Sequence, residues 1–221
     1  GLQPRRAQVT DLIDWYERQL TKLQVEIRLN TYMEADDVIA EGADEVVLAT
    51  GSLPPETGFQ KAIPHFDALP GIENGQVCST EAIMARQVRP GKRVVVLDEG
   101  GNWKGCGTAW KLAEDGHQVT IVTPDPMIGK ELQRTAADFP LRRTLAGLGV
   151  EFVVESAIMR WTGTAAITRS FLDDRETVIE ADTLVFATAN ITENSLALAL
   201  QEKGLPFREI GDGAAPRQAA Y

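Results

Sequence analysis

The sequence predicts an α/β protein built on parallel sheets with one antiparallel β-meander. Three observations carry that prediction. Helix and strand patterns alternate over residues 8–51 and again over 91–155, the rhythm of a parallel sheet covered by its crossover helices. Residues 94–123 read strand, glycine-rich turn, helix, strand, which gives the sheet a Rossmann-like, dinucleotide-binding topology. From 156 to 188 the pattern changes to short strands with no helix between them.

Taken in chain order, residues 8–23 place Val9, Leu12, Ile13, Tyr16, Leu20 and Leu23 on one stripe of a helix. "VEIRL" (25–29) alternates and predicts a strand, and "MEADDVIAEG" a short helix stopped by Gly42. "EVVLATG" (45–51) predicts an apolar strand. Residues 52–76, rich in Pro and Gly, are the best linker candidate. A short helix over 79–87 follows, with Ser79 or Thr80 able to cap it and Glu81 in the first turn, where the helix dipole favours a negative charge. Next come a strand at 93–97, a helix at 105–115, a strand at 119–123, a helix at about 140–148 and a strand at 150–154. "SAIMRW", "TAAITRSF" and "ETVIEA" form the meander, at about 156–181, and "TLVFATA" (183–189) returns to the parallel sheet before a last helix at about 194–203. The domain expectation is a partial, truncated subdomain at 1–76 and 205–221, and a Rossmann-like subdomain at 77–204.

Composition bounds the function. The chain has 221 residues, 43% of them hydrophobic, a net charge of −10 and a pI of about 4.8. That surplus of carboxylates argues against nucleic acid, whose phosphates need excess Lys and Arg. No apolar run approaches the ~20 residues of a membrane span. The two cysteines, Cys78 and Cys106, are far apart and too few for a thiolate metal site or an iron–sulfur cluster. They suit a reduced, cytoplasmic setting. His65 and His117 stand in loop-like contexts and read as ordinary surface residues. No catalytic residue and no metal ligand is expected within the chain.

The glycine turn is the most informative stretch. A working fingerprint, G-x-G-x-x-G, uses its glycines for a tight turn, a close approach of backbone to pyrophosphate, and helix–strand packing. Here the first glycine position falls on Asp98. Gly100 stands at the second, and Gly105 with Ala109 forms the helix-packing pair. Four residues, "GNWK", separate Gly100 from Gly105 where the fingerprint has two. Asp98 and Glu99 put carboxylates beside a dianionic phosphate site, a repulsion of about 1–4 kcal/mol near a protein surface. The second strand ends in Thr123–Pro124, and Asp125 comes two residues late for a ribose hydroxyl. Lys104 and Lys111 are the cations that would compensate. The expectation is a dinucleotide-type fold with a blocked site, NAD(P) being disfavoured, and with Trp103 filling the space of the adenine–ribose or pyrophosphate.

Two further stretches echo one another: "DEVVLATGSLPP" (44–55) and "DTLVFATANITE" (182–193) both end an apolar strand in Ala-Thr. "VVLATGSLPP" resembles the A-T-G strand end of flavin and pyridine-nucleotide oxidoreductases, and "IGDGAAPR" (210–217) resembles their late G-D motif. With "RPGKRVVVLDEGG" and "LAEDGHQVTIVT", they make nearly the whole chain similar to the C-terminal portion of the trimethylamine, dimethylamine and histamine dehydrogenase group, which is related to 2,4-dienoyl-CoA reductase and to old-yellow-enzyme-type flavoproteins. The resemblance implies an N-terminal TIM barrel with FMN and substrate, a cysteine cluster holding [4Fe–4S], and ADP or FAD in the first half of the C-terminal part. It places Thr50, Gly51, Gly211 and Asp212 at the rim of the ADP or FAD site, and Gly100, Gly105 and Ala109 in a second, vestigial dinucleotide fold. The strand–GxGxxG–helix unit that completes the first site does not occur upstream of residue 45, so the sequence reads as a piece of a larger enzyme.

Three functions follow as expectations. The first is a nucleotide-binding-like, non-catalytic region of a flavin- and iron–sulfur-dependent amine or N-methyl-compound dehydrogenase. The second is the NAD(P)H-docking region of a dienoyl-CoA-reductase-like enzyme. The third is an acidic docking surface for a partner such as an electron-transfer flavoprotein.

Overall fold

The computed structural model describes residues 2–216. The chain divides into two compact units, one of Gly1–Asp11 with Pro55–Ala189 and the other of Leu12–Pro54 with Asn190–Tyr221. In order along the chain the elements are α1 (Asp11–Lys22), α2 (Ala35–Ala40), β1 (Val47–Leu48), β2 (Ser52–Leu53), β3 (Gln76–Ser79), α3 (Thr80–Met84), β4 (Arg93–Asp98), α4 (Trp103–Glu114), β5 (Gln118–Val122), α5 (Asp138–Gly147), β6 (Glu151–Val153), β7 (Ser156–Trp161), β8 (Ala165–Ser170), β9 (Glu176–Glu180), β10 (Thr183–Ala187), β11 (Ile191–Thr192), α6 (Ser195–Glu202) and β12 (Arg208–Glu209).

The larger unit is organised by a parallel sheet in the order β3-β10-β4-β5-β6. Its central strand, β4, is buried on both faces, which is why it reads as the unbroken run Val94–Leu97 rather than as an alternation. Val94 and Val96 pack with Cys106, Ala109 and Leu112 of α4 and with Leu141 and Leu145 of α5. Val95 and Leu97 face the other way, toward Ile158, Trp161 and Ala166 of the meander β7-β8-β9. The meander is antiparallel, as its pattern predicts. Ser79 caps α3, its hydroxyl accepting from the Ala82 N–H at 3.1 Å.

Residues 55–75 are not the loose linker that their Pro and Gly content suggests. Gln60, Ile63 and Leu69 are buried. The Gln60 side chain exchanges two hydrogen bonds with the Ile158 main chain, donating to its carbonyl at 2.6 Å and accepting from its N–H at 3.0 Å. Trp161 donates its indole N–H to the Asn74 carbonyl at 2.6 Å. These contacts bind the segment to the meander, and the stretch ends in β3, an edge strand that the sequence pattern does not announce. The two compact units part after Asp11, after Pro54 and after Ala189.

In the smaller unit β1 pairs in parallel with β12, and β2 pairs antiparallel with β11. Ala35, Leu48, Ala197 and Leu200 form its core, joining α2, β1 and α6. Helix α2 stops near Gly42, which is left-handed at φ 61°. Residues 25–29 form no strand despite their alternation, and among the described residues no strand pairs with them. Likewise 45–51 shortens to the two residues that β12 pairs. Helix α1 forms as its periodicity predicts, but none of its residues is buried. Arg217 and the residues after it lie outside the described part, so the late G-D motif is seen through Pro216.

The tie between 55–75 and the meander can be tested at one glycine. Gly71 is left-handed at φ 81°, and a Cβ there would lie 2.0 Å from the Trp161 carbonyl oxygen. Gly42 is also left-handed but has open space around it. In urea unfolding, Gly71→Ala is expected to destabilise the larger unit by more than about 2 kcal/mol, and Gly42→Ala the smaller unit by about 1 kcal/mol. Equal costs at the two positions would refute the packing role of the segment.

Candidate nucleotide sites

The glycine turn leaves β4 at its last residue. The Asp98 side chain is fully buried. Its Oδ1 accepts from the Gly100 N–H and the Gly101 N–H, both at 3.1 Å, and its Oδ2 lies 3.6 Å from the Cys106 sulfur. A carboxylate in this position does what a bound phosphate does at such a turn: it supplies negative charge to converging backbone amides. Gly105 now serves this side chain. A Cβ on Gly105 would stand 2.5 Å from the Asp98 Cγ, so the glycine of the fingerprint makes room for a carboxyl group. Ala109, fully buried, keeps its expected place where α4 packs on the sheet.

The surplus residues of "GNWK" do not lengthen the loop by their full number. Helix α4 starts two residues before Gly105, at Trp103, and Asn102 caps it by accepting from the Lys104 N–H at 2.7 Å. Glu99 lies away from the turn; its carboxylate accepts from the backbone N–H groups of Lys61 at 3.0 Å and Ala62 at 3.3 Å. Burial pushes Asp98 up to about 6, against the opposing pull of the Gly101 and Gly100 amides and the Cys106 thiol; the charge of Asp125 raises it a little more. Burial also raises Glu99, and it raises the Cys106 thiol well above its usual range, helped by the Asp98 charge.

The cations that would offset these acids are committed elsewhere. Lys104 Nζ donates to the Thr188 carbonyl at 3.0 Å and lies 3.1 Å from Glu81. Its ammonium thus sits at the C-terminal end of β10, next to β4, the place where strand order reverses and ligands lie in open α/β sheets. Lys111 pairs with Asp115 one turn along α4. Asp125 reaches the turn despite its late position: its Oδ2 would meet a Cβ on Gly101 at 3.0 Å, while its Oδ1 pairs with Lys130 at 2.7 Å. Trp103 does not fill the groove as expected from the sequence. It stands on the flank of α4 with Trp110, Pro140 and Leu141 around a cleft of about 260 Å³. The Arg6 guanidinium lies 3.6 Å from the centre of its ring, and Gln3 donates to its carbonyl at 2.7 Å.

The smaller unit presents the opposite geometry. Thr50, Gly51, Gly211 and Asp212, distant in sequence, come together. The Ser52 hydroxyl donates to Asp212 Oδ2 at 3.0 Å, the Thr50 hydroxyl donates to the Glu193 carbonyl at 2.6 Å, and the Glu193 N–H donates to the Gly51 carbonyl at 3.1 Å. Gly213 packs against Thr50, its virtual Cβ 3.3 Å from the hydroxyl. Gly51 and Gly211 are left-handed, at φ 79° and 61°, and a Cβ on either would meet nothing within 4 Å. Backbone there is open to close approach. Ser52, Asn190 and Thr192, which the sequence did not single out, complete the ring; the Asn190 amide donates to Ser52 at 3.1 Å and the Thr192 hydroxyl to the Asp212 carbonyl at 3.3 Å. Their signal was present in the echo of the two Ala-Thr strand ends, since Ser52 follows the first and Asn190 and Thr192 follow the second.

The sequence pattern of pyridine nucleotide-disulphide oxidoreductases matches residues 34–214. The chain belongs to that family. It is 34% identical over 151 residues to a probable N-methylproline demethylase of Rhizobium meliloti (strain 1021), covering 68% of this chain and 20% of that protein. It is 30% identical over 219 residues to an NADH oxidase of Thermoanaerobacter brockii, covering 95% of this chain and 31% of that one. The fold superposes on histamine dehydrogenase from Rhizobium sp. 4-9 with a TM-score of 0.92 at 23% identity, over 98% of this chain and 35% of that one. The α/β class with its parallel sheet and meander is thereby established, and the resemblance to the amine dehydrogenase group holds. The chain spans a fifth to a third of the length of the curated relatives. No helix among the described residues is long and apolar enough to cross a membrane.

The buried carboxylate has a pH signature. The folded Asp98 value, about 6, lies above its ordinary 3.8, so the folded state holds this proton more tightly. The stability it contributes is full below pH 3.8 and is lost as pH rises through 6. Asp98→Asn keeps an acceptor for the two amides and drops the charge. Measured by urea unfolding, its stability relative to wild type is expected to rise by roughly 3 kcal/mol between about pH 4 and about pH 7.5. A pH-independent difference would refute the burial of a titrating carboxyl.

Proposed function

We propose that this chain is the nucleotide-domain region of a flavin- and iron–sulfur-dependent oxidoreductase acting on an amine or N-methyl compound, and that it performs no chemistry itself. In this reading the smaller unit holds ADP or FAD through Thr50, Gly51, Gly211 and Asp212. The larger unit keeps a dinucleotide fold without a dinucleotide. One observation carries the choice against an NAD(P)H reductase: the amides of the turn are already taken by Asp98.

The open backbone at Gly51 and Gly211, beside a partly exposed Asp212, supports an ADP or FAD ribose and phosphate. The closed turn at Gly100 and Gly105 does not suit NAD(P). The resemblance to the amine dehydrogenase group assigns a [4Fe–4S] centre and FMN to a TIM barrel in a longer polypeptide. That barrel is the chain's first partner. When bound there, FMN would supply the two-electron acceptor for the C–H bond next to the amine nitrogen. With NAD(P)H excluded, the electrons would leave through the cluster to a protein such as an electron-transfer flavoprotein, in a cytoplasmic setting.

The test is anaerobic addition of reductants to the complete, flavin-loaded gene product. An N-methylated amine is expected to bleach the flavin absorbance, while NADH and NADPH leave it unchanged over the same period. Bleaching by NADH or NADPH at a comparable rate would overturn the proposal.

A further inference from the structure

We infer that Asp98 acts as a built-in anion that occupies the phosphate position of its own turn, and that this one side chain, by occupancy rather than by repulsion, is what denies the turn to pyrophosphate. The inference rests on reading the larger unit as a dinucleotide fold without a ligand, and it deepens that reading by naming the determinant.

The geometry separates Asp98 from the other features that could close the turn: the loop insertion, Glu99 and Trp103. The insertion is absorbed by the early start of α4 at Trp103, with Asn102 as its cap. Glu99 is turned to the amides of Lys61 and Ala62. Trp103 lies on the α5 flank of the helix. Asp98 meets both requirements of an occupant. Its oxygen accepts from both turn amides, and its carboxyl group fills the space a Cβ on Gly105 would take. A phosphate oxygen arriving at the turn would find both donors engaged and the space over Gly105 filled. Breaking the two bonds would strand a buried carboxylate, and an uncompensated buried charge is among the costliest defects a protein can carry.

Occupancy and repulsion make different predictions, and two substitutions in the full chain distinguish them. Asp98→Asn removes the charge but retains an acceptor on the amides. Asp98→Gly removes both and restores glycine at the first position of the fingerprint. Inorganic pyrophosphate is the probe, followed by calorimetry. Wild type and Asp98→Asn are expected to show no saturable binding. Asp98→Gly is expected to bind at least about tenfold above the wild-type limit. Binding by Asp98→Asn equal to that of Asp98→Gly would overturn occupancy in favour of repulsion. A cooperatively folded Asp98→Gly that fails to bind would overturn the inference altogether, as would binding by wild type. Should Asp98→Gly not fold, Asp98→Ala takes its place, with the same outcomes. A further readout is independent of any ligand. Gly105→Ala, which collides with the carboxyl group and the Cβ of Asp98 in the wild-type background, should cost much less stability when combined with Asp98→Gly, which removes all of those atoms; an unchanged cost in the double variant would also count against the inference. Failure here leaves the proposed function standing if NADH and NADPH still do not bleach the flavin. Bleaching by either would remove the function first.

Discussion

A carboxylate held by two main-chain N–H groups at the end of the central strand sets the character of the larger unit. Burying an ionisable group is unfavourable unless its hydrogen bonds are met, and Asp98 meets them only if the chain turns sharply at Gly100 and Gly101 and α4 follows without a side chain at Gly105. Strand β4, the turn and the start of the helix are therefore tied to one residue. The neighbours follow suit. Cys106 presents its thiol to the second oxygen, and Lys104 and Asp125 find partners within the protein.

The two units use glycine to opposite ends. At Gly51 and Gly211 a missing side chain leaves open space beside a half-exposed aspartate, which suits a group arriving from outside. At Gly105 the missing side chain leaves space that the protein itself fills. The chemical ingredients are alike, glycines with an aspartate near a strand end. The difference lies in which groups the aspartate faces. Asp212 follows its strand and meets a side-chain hydroxyl from another strand, while Asp98 ends its strand and folds back onto amides two and three residues ahead.

Much of this was legible in the sequence because the decisive interactions are local. The strands and helices from 91 to 154 have long, internally consistent periodicities, and β4, α4, β5 and α5 lie close to where those periods put them. The place of Asp98 at the turn was legible too, since it stands within three residues of the amides it binds. What could not be read depends on partners far along the chain. Residues 25–29 alternate like a strand but gain no ladder. Residues 55–75 have a linker's composition, yet Gln60 and Asn74 bond to the meander nearly a hundred residues later. Adjacency groups Glu99 with Asp98, but successive side chains diverge, and the structure sends Glu99 to Lys61 and Ala62. A place in the insertion points Trp103 toward the groove; the earlier helix start carries it onto the flank with Trp110.

The persistence of Gly105 and Ala109 beside a turn whose amides bind Asp98 bears on how such fingerprints are read. The last glycine and the small residue four positions on exist for helix–strand packing, and close packing penalises their enlargement whether or not a nucleotide is present. Ala109 is fully buried here with no ligand required to explain it. The first position is different. Glycine there leaves the turn amides free, whereas a short side chain with an acceptor can satisfy them from within. A match confined to the last positions therefore reports a fold, and the residue at the first position reports whether that fold still offers its amides to a ligand. For this chain the first position is Asp98, and its carboxylate already accepts from the amides of Gly100 and Gly101.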